Sequence, residues 1–426
     1  MGVMILIVLF VFFYLLIIFE HPLKINKGAV AIFAGAVLWI LLPFVTTLTG
    51  EFIHEKLFHH LVEIASIIFF LKGAMSIVEI IDSCHGINLI TDSITTRTFV
   101  NLLWIIAVIS FFLSAVLDNL TTSIVMMSFV RKIKLKSTEV KILASIIIIA
   151  ANAGGAWSPI GDVTTTMLWI TGRISSIHTI EMLILPSIVS LLAPLIVLSF
   201  RYRHKVIEMD NAFLSNATYS ISRRSSAIVL FTGVVSLILV PIIKQITGLP
   251  PFVGIFFGFG LTWIVSEIFV GRKQDNTVHI PDALQKVDLS NIYFFIGILL
   301  SVAALESAGI LKQWATTLSH YLTNMNVFVS ILGILSAVID NVPLVAGTIS
   351  MYGTATYPID HSLWTLLAFA AGTGGSLLII GSAAGVAIMN TAKIDFFWYL
   401  KYVTPLALLG YLLGIAFYLL QVQLLS

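Results

Sequence analysis

Two copies of an Asp-Asn pair lie inside long apolar stretches of the chain. Asp118-Asn119 and Asp340-Asn341 each follow a Ser-Ala-Val sequence, and the two aspartates are 222 residues apart. A carboxylate at the centre of a bilayer costs at least about 2.5–3.5 kcal/mol to insert, so an intramembrane aspartate indicates a functional site. The neighbouring asparagines offer neutral carbonyl oxygens, and Thr121 adds a hydroxyl beside the first pair.

Two glycine-rich segments supply further oxygen atoms. The first runs from Asn152 to Asp162 and contains Pro159 with three glycines, while the second contains Gly374-Gly375 and has Ser382 where the first has Asp162. Proline and glycine weaken a helix interior, so both helices are predicted to be broken, with carbonyl groups free to bind a ligand. Glycine pairs in membrane helices also serve close helix packing, and that reading stays open.

This set of ligands favours a hard cation over a soft metal, because it offers oxygen atoms of low charge without thiolates or clustered imidazoles. Protons and cations can compete for the same buried carboxylate. A protein that exposes such a carboxylate alternately on each side of a membrane exchanges protons for cations without covalent chemistry. We therefore expect neither catalytic residues nor a cofactor.

The composition indicates which elements must position these residues. Of 426 residues, 58% are hydrophobic and 10% charged, with a mean hydropathy of +1.04, whereas soluble domains carry about 25% charged residues. This excludes a soluble enzyme, and the balance of 23 basic against 21 acidic residues offers no footprint for nucleic acid. The single cysteine excludes an intramolecular disulfide. A polytopic all-α membrane protein in contact with the lipid bilayer is predicted.

Apolar runs long enough to cross about 30 Å of hydrocarbon as helices predict the spans. The predicted spans lie near 4–20, 29–48, 62–82, 138–170, 181–200, 226–246, 251–270, 289–310, 362–392 and 398–420, of which 138–170 and 362–392 are the broken helices. Segments 98–131 and 325–357 are predicted to be re-entrant hairpins with the Asp-Asn pairs at their tips. After Asp118 only about 12 helical residues remain before the basic run Arg131–Lys136, and these reach about 18 Å.

The chain divides into two similar parts. Residues 1–205 form the first predicted repeat, 206–225 a cytoplasmic linker and 226–426 the second repeat, each with five spans and one hairpin. Because five is odd, the second repeat is inverted in the membrane, and inverted repeats with broken helices are typical of secondary transporters. The positive-inside rule places most basic loop residues, including Lys24 and Lys27, in the cytoplasm and both termini outside.

Other polar residues are weaker candidates. Glu63 and Glu306 lie near predicted span ends, and Lys72 lies within a span, where it could snorkel or pair with a carboxylate. His54 and His59 are expected in an external loop.

The segments Gly73–Asp82, Leu117–Thr122, Asn152–Thr166 and Ile339–Leu344 closely resemble the NhaD-type sodium/proton antiporters of the ion-transporter superfamily. The resemblance covers nearly the whole chain. It implies a bacterial-type plasma (inner) membrane protein that exchanges Na⁺, and often Li⁺, for H⁺. It also implies a homodimer in which a domain of hairpins and broken helices moves like an elevator against a dimeric scaffold.

The resemblance also implies which residues handle sodium ions and protons. Carried over to this chain, they are Asp118, Asn119, Thr121, Asn152, Asp162, Asp340, Asn341, Ser376 and Ser382.

Two alternatives remain. An oxyanion or carboxylate carrier of the same superfamily is opposed by the intramembrane aspartates and by glycine-rich breaks that contain no basic residue. A distant alternative, an intramembrane aspartyl protease, needs a Gly-x-Gly-Asp signature, but Pro159 stands where the first glycine belongs.

Overall fold

The computed structural model describes residues 2–91, 94, 96, 98–133, 135–207, 221–271, 280–321 and 324–425, and these are nearly all helical. Most of the predicted linker 206–225 lies outside this description. The helices before it are α1 Gly2–Ile18, α2 Glu20–Leu23, α3 Lys27–Val45, α4 Gly50–Ser83, α5 Asn88–Thr91, α6 Phe99–Leu117, α7 Asn119–Lys132, α8 Ser137–Ala156, α9 Val163–Ile170 and α10 Ser176–Tyr202.

The part after the linker has a similar order of helices. They are α11 Arg223–Thr247, α12 Pro251–Ser266 with a π-helical turn at Glu267–Gly271, α13 Ile280–Leu284, α14 Leu289–Ser307, α15 Ile310–Tyr321, α16 Met325–Leu335, α17 Asn341–Met351, α18 Ser362–Gly374, α19 Ala383–Thr391, α20 Phe396–Tyr402 and α21 Thr404–Leu425.

Within the described ranges, nine helices are long and apolar enough to cross a membrane: α3, α4, α6, α8, α10, α11, α12 with its π-helical turn, α14 and α21. A polytopic membrane protein is therefore confirmed. Helix α6, assigned from the sequence to a hairpin arm, is among the nine, whereas the apolar helices α1 and α18 are shorter, at 17 and 13 residues. Helix α7 has 14 residues and reaches about 21 Å.

The loop predicted around His54 and His59 is wrong, because both residues lie within the 34-residue helix α4. The Thr49 hydroxyl caps this helix by accepting a hydrogen bond from the backbone N–H of Phe52 at 3.4 Å. Neither glycine nor proline occurs between Glu51 and Lys72. The polar residues therefore extend the helix beyond the apolar segment instead of ending it.

The helices form two groups that pack mainly among themselves. Helices α1, α3, α4, α11, α12 and α14 form the first bundle, and α6–α10 with α16–α21 form the second bundle. Trp39 fastens α3 to α14 inside the first bundle, donating from Nε1 to the Leu300 carbonyl at 2.9 Å. The bundles meet chiefly where α14 lies against α17 and α4 lies against α9.

Close helix packing explains the first glycine of each pair. Gly154 still lies within α8, where a Cβ atom would overlap the carbonyl of Phe111 on α6, and Gly374 approaches the carbonyl of Gly333 in the same way. The break predicted within Asn152–Asp162 is confirmed, but its first residues are still helical. Helix α8 continues to Ala156, and the break covers the residues from Trp157 to Asp162.

We expect Gly154→Ala and Gly374→Ala each to lower the free energy of unfolding by about 1–3 kcal/mol, because added volume forces two backbones apart. The measurement is the thermal midpoint of the detergent-purified protein. Gly260→Ala is the matched control, since a Cβ atom on α12 at this position meets open space. A thermal midpoint unchanged in both test variants contradicts the packing role.

Candidate functional site

Four short helices begin at predicted site residues. Asp118 caps α7, Asp340 caps α17, Asp162 directly precedes α9 and Ser382 directly precedes α19. The N-terminus of a helix carries partial positive charge, which stabilises a carboxylate. Three of the four positions hold aspartates, so a carboxyl group that can carry negative charge stands at each of these three helix ends.

Asp162 is the most enclosed of the three aspartates, with a relative exposure of 3%. Its Oδ1 accepts a hydrogen bond from Nδ2 of Asn119 at 3.1 Å, and its Oδ2 accepts from Nδ2 of Asn341 at 3.4 Å and from the hydroxyl of Thr164. Both Asp-Asn pairs therefore contribute an amide to one carboxylate. All three donors are neutral, so they orient the negative charge without cancelling it.

Asp118 is held by its own helix. Its carboxylate accepts hydrogen bonds from the backbone N–H of Thr121 at 2.8 Å and from the Thr121 hydroxyl at 3.1 Å. Its backbone has φ 74° and ψ 164°, a region used almost only by glycine, and a non-glycine residue there costs about 1–3 kcal/mol. Backbone strain at a half-buried carboxylate is typical of a functional position.

Asp340 has a different set of partners. Its backbone is ordinary, with φ −49° and ψ 135°, and its Oδ1 accepts a hydrogen bond from the Val342 N–H at 3.2 Å. Its Oδ2 lies 3.6 Å from Nζ of Lys27, at the start of α3. The two Asp-Asn pairs are therefore alike in sequence but differ in how their charge is balanced.

Asn152 links the Asn119 amide to the second glycine-rich break. Its Oδ1 accepts from Nδ2 of Asn119 at 3.1 Å, and its Nδ2 donates to the Ile148 carbonyl at 3.0 Å and to the Ser382 hydroxyl at 3.1 Å. The Ile148 carbonyl can only accept, so this chain of bonds fixes the amide orientation of Asn152 and then of Asn119. Ser376, by contrast, donates to the Thr373 carbonyl at 2.7 Å.

A cavity of about 80 Å³ lies between the two bundles. A water molecule needs roughly 10–15 Å³ of such space, so the cavity can hold a few waters or a partly hydrated ion. Its lining consists of Lys27, Phe70, Leu71, Ala74, Met75, Asp118, Asn119, Leu120, Ile160, Asp162, Val163, Thr166, Asn291, Phe295, Asp340, Asn341, Val342 and Ala383.

Of the nine predicted site residues, Asp118, Asn119, Asp162, Asp340 and Asn341 line this cavity. Three more lie one step behind the lining. Thr121 bonds to Asp118 and Asn152 to Asn119, and Ser382 bonds to Asn152. Ser376 has neither relation among the described contacts. Within the described residues, no group of three or more His, Cys, Asp or Glu side chains is arranged to hold a metal ion.

Sequence reasoning missed two residues of the site. Lys27 was assigned to a cytoplasmic loop from its charge, and only the approach of α3 to α17 reveals its contact with Asp340. Thr164 lies two residues after Asp162, at the start of a helix. A hydroxyl at that spacing can donate to the aspartate, so the sequence pattern indicates this contact. Lys72, whose role was open, is an exposed residue of α4.

A second cavity of about 50 Å³ follows the same boundary between the bundles. Helix α4 lines the first cavity with residues 70–75 and the second with residues 60–67, and α14 contributes residues 291 and 295, then 299–306. Helices α9 and α17 also take part in both. Glu63 and Glu306 supply acidic groups to the second cavity.

The charges of the first cavity do not balance. Three carboxylates face it, and Lys27 is the only basic residue among its described lining residues. Unpaired charge is costly where water is scarce, so the site demands additional positive charge. A small cation or a proton on a carboxylate meets that demand.

Carboxylates gathered between membrane-crossing helices place the chain among multi-pass ion-transport proteins. Residues 14–366 match the CitMHS family, described as citrate transporter, and the chain belongs to this family. It is 46% identical over 404 residues to Sodium/proton antiporter 1 of Arabidopsis thaliana, covering 95% of this chain and 70% of that protein.

Two further relatives align over most of both chains. Sodium/proton antiporter 2 of A. thaliana is 44% identical over 407 residues, covering 95% of this chain and 96% of the relative. The Na⁺/H⁺ antiporter NhaD of Vibrio cholerae is 30% identical over 450 residues, covering 97% and 90%. The resemblance to NhaD-type antiporters is thereby confirmed.

We expect Asp162→Asn to lower the free energy of unfolding by about 1–3 kcal/mol, the cost of an unsatisfied buried polar group. Its new NH₂ group would face the amide of Asn119 or Asn341, and Asn119 is held in place by Asn152. Ser376→Ala is the comparison, because the described hydrogen bond of its hydroxyl goes to the nearby Thr373 carbonyl. Equal thermal midpoints for the two variants would contradict this account.

Proposed function

We propose that this chain is a secondary transporter that exchanges Na⁺, and also Li⁺, for H⁺. The observation that carries the proposal is the convergence of Asp118, Asp162 and Asp340 on one cavity with a single lysine. The names of the relatives in A. thaliana and V. cholerae support the same exchange.

In this proposal sodium ions and protons compete for the aspartates. Asp118 and Asp340 both line the cavity, and the carbonyl oxygens of Asn119 and Asn341, which also line it, are neutral ligands of the kind that suit a hard cation. A proton on an aspartate removes the charge that attracts sodium. Binding one therefore releases the other, and no covalent step is needed.

A carboxylate carrier is the second candidate, because the family is described as citrate transporter. An anion could use the free N–H groups at a helix start. Here, however, the starts of α7 and α17 are occupied by the carboxylates of Asp118 and Asp340, which accept those hydrogen bonds themselves. A polyanion would meet three negative charges and one lysine, so the site favours a cation.

We further propose alternating access by an elevator motion of the second bundle along the first. The two cavities at the boundary between the bundles support this motion. Both cavities are lined by α4 and α14 of the first bundle and by α9 and α17 of the second, so the same helices face each other at two levels along the boundary. The similar helix orders before and after the linker support two inverted repeats. A homodimer formed through the first bundle completes the proposal.

The proposed location is a plasma (inner) membrane with both termini on the external side. One contact supports the grouping of cytoplasmic charges: Nζ of Lys141 lies 5.4 Å from the ring centroid of Trp398, near Lys401. Basic residues from both parts of the chain therefore share one end of the molecule, as the positive-inside rule expects.

The transport proposal predicts that Na⁺ or Li⁺ added to everted vesicles collapses a preformed proton gradient. Asp118→Asn and Asp340→Asn should abolish this response, because amides cannot exchange a proton for a cation. Asp395→Asn is the matched control, since Asp395 is an exposed cap of α20 and asparagine caps equally well. Citrate and sulfate serve as the anion arms.

A gradient that Na⁺ and Li⁺ leave untouched from neutral to alkaline pH contradicts the cation proposal. Coupled uptake of citrate under the same conditions would favour the carboxylate carrier instead.

The topology predicts the labelling of single cysteines by a membrane-impermeant maleimide in intact cells. Cys84 is buried, and Cys84→Ala provides the background. Lys312→Cys should be labelled from outside, and Lys393→Cys should be labelled only in everted vesicles. The reverse pattern contradicts the assigned orientation.

A further inference from the structure

Lys27 forms an ion pair with a residue of the proposed cation site. Its Nζ lies 3.6 Å from Asp340 Oδ2 and 4.5 Å from the ring centroid of Phe294, and the side chain of Lys27 is 23% exposed. Asp340 in turn is 27% exposed. The pair lies at the edge of the first cavity, where water reaches it in part.

The position of Lys27 in its helix makes the pair informative. Lys27 is the first residue of α3, where the helix dipole disfavours a cation. Capping of α3 does not need it, because the Asn26 side chain accepts from the Gly28 N–H at 2.8 Å. The Glu20 carboxylate accepts from the backbone N–H of Lys27 at 3.4 Å, whereas the described contacts of the ammonium group are the Phe294 ring and the Asp340 carboxylate. Of these two contacts, Asp340 supplies the opposite charge.

A cation bound at Asp340 would compete with this contact. Oδ1 of Asp340 already accepts from the Val342 N–H, so Oδ2 is the oxygen that faces Lys27. A sodium ion bound to Oδ2 would be repelled by the Lys27 ammonium, whose Nζ lies 3.6 Å from the same oxygen. The flexible stem of lysine allows its charged end to withdraw toward water.

We propose that the Lys27 ammonium is a built-in counter-ion that occupies Asp340 in the sodium-free site and leaves it when sodium binds. Lys27 thereby sets the apparent sodium affinity, although it is not itself a ligand. The inference rests on the proposed function and adds to it a positioning residue that determines affinity.

Lys27→Met tests the proposal by removing the competing charge while keeping the length of the side chain. We expect the sodium concentration at half-maximal response to fall roughly fivefold or more, the lower end of ordinary coupling between two binding events. Lys27→Arg keeps the charge and should stay near the wild type. Lys24→Met removes an exposed lysine from the same end of the molecule and should change nothing.

Two readouts separate affinity from structure. The first is the sodium dependence of gradient collapse in vesicles. The second is thermal stabilisation of the purified protein by NaCl, with choline chloride at equal ionic strength as control, which requires no turnover. A merely structural ion pair would lower the sodium-free thermal midpoint without changing the half-maximal sodium concentration. If Lys27→Met does not fold, Lys27→Gln is measured in the same way.

The outcomes distinguish the two proposals. If the wild-type protein responds to sodium but Lys27→Met needs an equal or higher sodium concentration for its half-maximal response, the role of Lys27 is overturned and the proposed function stands. If sodium neither stabilises the wild-type protein nor collapses the proton gradient in vesicles, both the role of Lys27 and the proposed function are overturned.

Discussion

The candidate site depends on the hydrogen bonds that the buried carboxylate of Asp162 accepts. This carboxylate accepts hydrogen bonds from Asn119 on α7, from Asn341 on α17 and from Thr164 on α9, so three short helices are aligned by one charged group. A buried charge with only neutral donors is costly unless its geometry is well fixed. The helix packing provides this geometry: the Cβ-free Gly161 lets the break approach the carbonyl of Ser114, whose hydroxyl bonds to Ala151 on α8.

The same constraint explains why the helices are broken where they are. A continuous helix satisfies its own N–H groups, whereas a helix that starts inside the protein presents unpaired N–H groups and a positive dipole. Asp118 and Asp340 use their carboxylates to satisfy these groups at α7 and α17. The positive ends therefore stabilise the aspartates, and the aspartates keep those ends from attracting anions. Ser382 does the equivalent at α19 without charge, accepting from the Gly385 N–H at 3.2 Å.

The sequence predicted the parts of the site that depend on local chemistry. The two Asp-Asn pairs and the breaks stand out because residue type alone marks a charge or a helix breaker in an apolar stretch, whereas the roles of Asn152 and Asp162 come from the resemblance. Lys27 was missed because its role depends on α3 approaching α17, and a rule about loop charges assigns it elsewhere. The resemblance implies both Ser376 and Ser382, yet the turn between them directs one hydroxyl to a carbonyl and the other to Asn152. The histidines of α4 were misplaced because polarity ends an apolar span but does not end a helix.

The two Asp-Asn pairs differ in the kind of partner that balances each aspartate. Asp118 is held by two bonds from Thr121, three residues away in the same helical turn, and its backbone is strained. Those partners move with it, so its geometry is fixed. Asp340 pairs instead with a long side chain from the other bundle. In the proposed elevator motion, a shift of one bundle along the other would leave the Thr121 bonds intact but would change the distance between Lys27 and Asp340. The proposal therefore couples the charge balance of the cavity to the motion through the second Asp-Asn pair.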